Sequence, residues 1–153
     1  MATVTITVPI GPSLSTTVNI TRVSPGIFAA NMNGQGVFAG QVVHVHADGS
    51  REVDSSATFN SGTNTFVANP VNLGPSTDQV FLQVYGTGLQ HASTVTVTVN
   101  GGTVPSVFAA QGQYPGLDQV NVQLSHSLAG AGAVNIVVTA DGQAANTVTV
   151  TIQ

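Results

Sequence analysis

Valine and threonine alternate along this chain with period two, from its first residues to its last. In Thr3–Val8, Val4, Ile6 and Val8 fall on one face and Thr3, Thr5 and Thr7 on the other, which predicts a half-buried strand. Pro9 and the Gly11-Pro12-Ser13 cluster end it. Thr16–Val23 repeats the pattern through Val18, Ile20 and Val23, and Ser24-Pro25-Gly26 turns into the short apolar run Ile27–Ala30. A polar loop over 31–36 precedes a strand-like stretch, Val37–His46, closed by the turn Ala47-Asp-Gly-Ser50. Residues 51–79 are the least regular part. Turns at Ser61-Gly62 and Gly74-Pro75 and one short strand, Thr65–Ala68, predict long surface loops there.

From Asp78 onward the alternation sharpens. Strands are expected at Gln79–Tyr85, Ser93–Asn100, Val104–Ala110, Leu117–Leu124, Ala133–Ala140 and Asn146–Ile152, separated by Gly and Pro turns. No stretch sustains a helical period. Many short strands at this spacing predict an all-β fold, an immunoglobulin-like β-sandwich with an N-terminal extension strand. The chain divides into an N-terminal arm (1–24) holding a possible donor strand, a β-rich first half with long loops (25–75), and the sandwich module proper (76–153). Pro25–Ala30 echoes Pro105–Ala110, and Val43–Gly49 echoes Ile136–Gly142. Duplication and chance similarity among Val/Ala/Gly-rich strands both fit that echo.

Composition narrows the classes of function. Only 5% of the residues are charged, against roughly 25% in an average soluble domain, there is no lysine, and the net charge is −4. Without a basic surface to neutralise phosphates, nucleic acid is not an expected partner, nor is an anionic membrane. No apolar run approaches the ~20 residues of a membrane-spanning helix, so membrane insertion is not expected. Hydrophobic residues reach 42%, enough for a core. The absence of cysteine removes disulfides, thiol catalysis and cysteine–zinc sites. Abundant Thr, Ser, Asn and Gly suits a secreted or cell-surface protein. Met1 is followed at once by Ala-Thr-Val-Thr-Ile, as in a mature form or a fragment.

Candidate chemistry is sparse. His44 and His46, two apart on a strand, share one face and can chelate a metal if a third ligand arrives, with Asp48, Glu52, His91 and His126 suitable by chemistry. The bland expectation is a solvent-facing histidine pair alternating with buried Val43 and Val45, and it is favoured. Asp48-Gly-Ser50 with Glu52 and Asp54 has carboxylates for calcium but not the spacing of a helix–loop–helix calcium site, and reads as a solvated turn. Asp118 and Asp141 read as turn residues. No Gly-x-Ser-x-Gly elbow, phosphate loop or carboxylate pair is present, so enzyme activity and a cofactor are not expected. Phe28, Phe81 and Phe108 sit in apolar runs and are expected in the core. Tyr114, beside the Pro115-Gly116 turn, is the candidate exposed aromatic for a ligand.

The runs Tyr85-Gly-Thr-Gly-Leu89, Val95–Gly102, Pro115–Val122 and Ala144–Val150 resemble the C-terminal β-sandwich domain of large secreted Acidobacterial proteins of the Solibacter type, and also IPT/TIG immunoglobulin-like domains. Pro25–Phe28 and Asp48–Ser50 match upstream features of the same proteins. The resemblance runs from about residue 16 to the last residue. It implies an extracellular module of no established catalytic function. In those proteins a strand like 3–8 closes a preceding domain, so what it pairs with here is left open. The expectation is a non-catalytic structural module that assembles with copies of itself, or with neighbouring β-sandwich domains, by adding the strand of Val4, Ile6 and Val8 to another sheet. A monomeric spacer and a module binding carbohydrate or another surface polymer are the alternatives.

Overall fold

The computed structural model describes residues 1–110 and 114–153. The chain is nearly all β, in several antiparallel sheets. Among the described residues a single 3-10 turn, His126–Leu128, interrupts the strands, and no helix is long and apolar enough to cross a membrane.

The first two strands, β1 (Ala2–Ile6) and β2 (Leu14–Val18), pair with each other as a hairpin, with Ala2 opposite Val18 and Ile6 opposite Leu14. The chain then enters the body through β3 (Gly26–Ile27), β4 (Gly40–Val45) and β5 (Arg51–Ser55). A small separate hairpin follows, β6 (Ala57–Asn60) with β7 (Thr65–Ala68). Next come β8 (Gln79–Thr87), β9 (Val95–Val99), β10 (Gly102–Val104), β11 (Ser106–Ala110), β12 (Asp118–Leu124), β13 (Gly132–Ala140), β14 (Gln143–Ala144) and β15 (Val148–Ile152). One six-stranded sheet runs β11-β12-β8-β4-β5, with β3 against the far end of β8. A five-stranded sheet runs β10-β9-β13 and continues into β14 and β15.

These two sheets send their inward rows into one core. Val80, Leu82 and Val84 of β8 and Val120 and Val122 of β12 meet Val97, Ile136, Val138 and Val148 from the other sheet, each at most 1% exposed. The strict alternation of these strands is what makes a buried row possible on one face. Each such side chain contributes roughly 1.5–3 kcal/mol of burial, so the body's stability resides here. β15 closes the structure: antiparallel to β13 on one side, it meets Val37 and Val71 in parallel bridges on the other. Strands from both sides of residue 75 thus share one sheet and one core.

Several elements differ from the expectation. The second strand is Leu14–Val18 rather than 16–23. Strand β1 stops at Ile6, and Val8 lies in the loop before Pro9, which has no N–H to extend a ladder. Residues 51–60 form two strands rather than loops; they are almost wholly exposed, so they carry no apolar alternation to betray them. The predicted strand 104–110 is split at Pro105. The part before it pairs with β9 across an Asn100-Gly101 turn, both residues at positive φ, and the part after it joins the other sheet. Phe38, at 0% exposed, is the phenylalanine that the core encloses. Phe28 is exposed, Phe81 faces outward half-buried, and Phe108 packs at the core's margin.

Candidate functional site

The N-terminal hairpin is the structural anomaly. Every residue from Thr3 to Arg22 is exposed, although the hairpin has a well-defined apolar face. The register places Ala2, Val4 and Ile6 beside Val18, Thr16 and Leu14 on that face; Thr3, Thr5, Ser15 and Thr17 occupy the other, where the Thr5 and Ser15 hydroxyls share a 2.9 Å hydrogen bond. Ile6 is 62% and Leu14 71% exposed. An isolated two-stranded hairpin is at best marginally stable in water, and an uncovered apolar face is unusual on a monomer. The strand of Val4 and Ile6 therefore pairs within its own chain, with β2, but the pair does not pack onto the body. The break between the exposed hairpin and the body falls after β2, within the 1–24 arm. Beyond it the chain is anchored by Arg22, which donates to the His91 carbonyl at 2.8 Å and the Ser93 hydroxyl at 3.0 Å, and by Ser24 N–H, which donates to Gly88 O at 3.1 Å.

A second site lies at the opposite end of β8. Here His44 of β4 and His46, one residue past its end, face Glu52 and Asp54 of β5 and Asp78, around a cleft of about 450 Å³ floored by Val42 and closed by the 69–75 segment. The pleat assigns the faces in the reverse of the expected sense. Val42 is buried, so by period two His44 and His46 follow on its side, and Val43 and Val45 point outward. His46 Nδ1 lies 2.7 Å from Asp78 Oδ2, and its Nε2 lies 4.0 Å from Glu52. Asp78 is nearly buried, at 8%. The hydrogen bond to Asp78 raises the His46 pKa above its ordinary 6.5, partly opposed by desolvation. The same bond holds Asp78 below its ordinary 3.8. His44 Nε2 lies 3.7 Å from Asp54.

The two imidazoles thus share a face but each engages a different carboxylate. Among the described residues no three His, Asp or Glu side chains converge as a cation site. His126 Nε2 lies 2.9 Å from the Asp78 carbonyl, and His91 sits at the hairpin's root, far along β8 from the cleft. In the Asp48 turn the carboxylate accepts from Ser50 N–H at 2.8 Å and from its hydroxyl at 2.6 Å, which lowers the Asp48 pKa.

Tyr114 is exposed, at 61%. The exposed aromatic pair is elsewhere: Phe59 and Phe66 on β6 and β7, edge to face at 5.3 Å between ring centres. Two polar residues organise the body in ways the pattern did not indicate. Asn146, between β14 and β15, accepts from Ile27 N–H at 2.8 Å and donates to Ile27 O at 2.9 Å and Gly34 O at 2.8 Å. Asp118 is no turn residue: it opens β12, is 3% exposed, and accepts from Leu89 N–H at 2.7 Å. Asp141 does sit in a turn, at φ 46°, and caps the Ser93 and Thr94 N–H groups, which lowers its pKa. Such roles follow from long-range contacts, and the residues flanking Asn146 and Asp118 carry no local sign of them.

Compared with family models, curated proteins and solved structures, the chain matches none.

Proposed function

We propose that the protein is a non-catalytic extracellular structural module, an immunoglobulin-like β-sandwich that self-assembles through its N-terminal hairpin. The observation that carries the reading is the hairpin itself: residues 2–18 are ordered as paired strands, apolar on one face, and exposed on that face. Burying Ile6 and Leu14 alone is worth roughly 1.5–3 kcal/mol each, a driving force for association left unspent within the chain. β1 also keeps one edge free for strand addition. The sandwich assignment is supported by the two sheets sharing a core and by the parallel contacts along β15. The low charge, the absence of lysine and the resemblance to secreted modules support the cell-surface location. The test is molar mass by light scattering over a concentration series, for the full chain and for a variant lacking residues 1–20. Assemblies of the full chain that are lost on truncation, with the body still folded, are the expected result. A monomeric full chain at the highest concentration reached would overturn the reading.

A second reading draws on a specific observation. The Phe59–Phe66 pair lies in the 51–79 region, which also supplies most of the lining of the His46 cleft, and there a module binding a surface polymer would place its contacts. Retention on an insoluble polysaccharide that Phe59→Ala abolishes would favour it.

A further inference from the structure

The outer face of the six-stranded sheet carries an apolar patch among polar side chains, opposite the buried inner face. Val53, Val43 and Phe81 stand side by side across β5, β4 and β8, with Val45 beside them and Val107 on β11. Val107 is 66% and Val53 54% exposed. The charged side chain lining this surface is Arg51, at its rim; Gln83 and Asn121 complete it. We propose that this outer face receives the apolar face of the N-terminal hairpin of a second copy, an inference that rests on the assembly reading above and names its docking surface.

Three observations single out a second copy as the occupant. First, the two surfaces match in chemistry: residues 2–20 contain no ionisable side chain, and the sheet face is apolar and amide-lined. A charged partner would gain nothing from either. Second, they match in size. A five-residue strand spans about 17 Å, and the five strands from β5 to β11 span about 19 Å at ~4.8 Å per step, so the hairpin lies across the sheet from edge to edge. Third, they sit apart. The hairpin's root is held at the C-terminal end of β8, by Gly26 opposite Thr87 and by Ser24 on Gly88, whereas Val43, Val45 and Phe81 lie toward the N-terminal end of β8. Phe81 and Thr87 are six residues apart, about 20 Å along the strand. In the arrangement seen the hairpin is exposed and does not lie on its own outer face, and a contact joining one end to the other between copies is heterologous: it repeats head to tail. One such contact covers both apolar faces. Stacking two hairpins on each other would leave the sheet face bare. The hairpin footprint, about 17 by 10 Å, is small for a stable complex, so the assembly is expected to dissociate on dilution.

The test uses Ile6→Lys, which disables the hairpin, and Val107→Lys, which disables the face. Both positions are exposed, and circular dichroism checks that both variants keep the native β spectrum. Each variant alone is expected to sediment as a monomer under conditions where the full chain assembles. Mixed one to one, they are expected to form a dimer of about twice the 15.4 kDa chain that cannot grow further, because one supplies an intact face and the other an intact hairpin. Val107→Lys assembling as the full chain does, while Ile6→Lys does not, overturns this docking surface and leaves the assembly reading standing. Two monomers whose mixture stays monomeric overturn it as well. A full chain that never assembles overturns both. The chain has no cysteine, so Ile6→Cys and Val107→Cys provide a second readout: oxidation of the mixture is expected to enrich the mixed disulfide over either homodimer, and enrichment of the Ile6→Cys homodimer would instead indicate hairpin-on-hairpin stacking.

Discussion

Replacing Asn146 with alanine should cost the body about as much stability as deleting a core side chain. Its amide joins three segments far apart in sequence, with hydrogen bonds to Ile27 N–H, Ile27 O and Gly34 O, each 2.8–2.9 Å long. A hydrogen bond contributes about 1 kcal/mol net, so three sum to about 3 kcal/mol. Two considerations pull in opposite directions. Ile27 is 3% exposed, so its freed N–H is stranded away from water, which adds to the cost. Gly34 is half-exposed, and water can replace its lost donor. The expectation stays near 3 kcal/mol. In a chain of this size that lowers Tm by roughly 6–12 °C, at 2–4 °C per kcal/mol. Thermal unfolding followed by circular dichroism at pH 7 measures it. Asn146→Asp sharpens the test. It keeps the acceptor for Ile27 N–H but turns a carboxylate oxygen toward two carbonyls. It should be at least as destabilised as the alanine variant at pH 7 and partly recover below pH ~4, where a protonated carboxyl donates again. A fall in Tm of less than about 2 °C for Asn146→Ala, the size of an ordinary surface substitution, would refute the role given to this side chain.

Stability should also vary with pH in a window set by His46 and Asp78. The raised His46 contributes fully below its ordinary 6.5 and loses that contribution as pH rises through its folded value; the lowered Asp78 contributes above 3.8 and loses it as pH falls through its folded value. Urea unfolding should therefore show a midpoint that declines on both sides of this range, with Asp48 and Asp141 adding to the acid limb, and His46→Asn should remove the alkaline decline. Gly88→Ala should destabilise more than Gly101→Ala. Both glycines have positive φ, +76° and +78°, but an added Cβ at Gly88 meets the Ser24 carbonyl and at Gly101 meets open space. The backbone strain common to both is about 1–3 kcal/mol, so the difference in Tm isolates the clash, and equal values would refute it. In monomeric protein, amides of β1 and β2 should exchange with deuterium far faster than those of β8, since the hairpin gains nothing from the core; equal protection would show that the two are coupled.

Much of the body was legible in the chain. Where a strand is buried on one face and bounded by Gly or Pro, as in β8, β9, β12, β13 and β15, the alternation of Val with Thr, Gln or Asn reports the strand and its apolar row directly. Where a strand is almost wholly exposed, as in β5 and in β6 apart from Ala57, little constrains its side chains, and the run Arg51–Asn60 looks like a loop. Alternation also leaves a twofold ambiguity. It separates His44 and His46 from Val43 and Val45, but both rows contain residues that tolerate half-burial. Only the placement of Val42 in the core decides that the histidines line the cleft and the valines face outward. The hairpin shows the same limit in another form. Residues 3–8 announce a strand with an apolar face, yet whether that face is covered depends on what the rest of the chain brings to it. The role of Asn146 lies wholly beyond local pattern, because its partners Ile27 and Gly34 are more than a hundred residues away. Local sequence determines the strands that are buried on one face, since those depend on backbone preference and period. The tertiary structure alone decides which face is buried and which polar group is paired, since burial and hydrogen bonding are relations between distant segments.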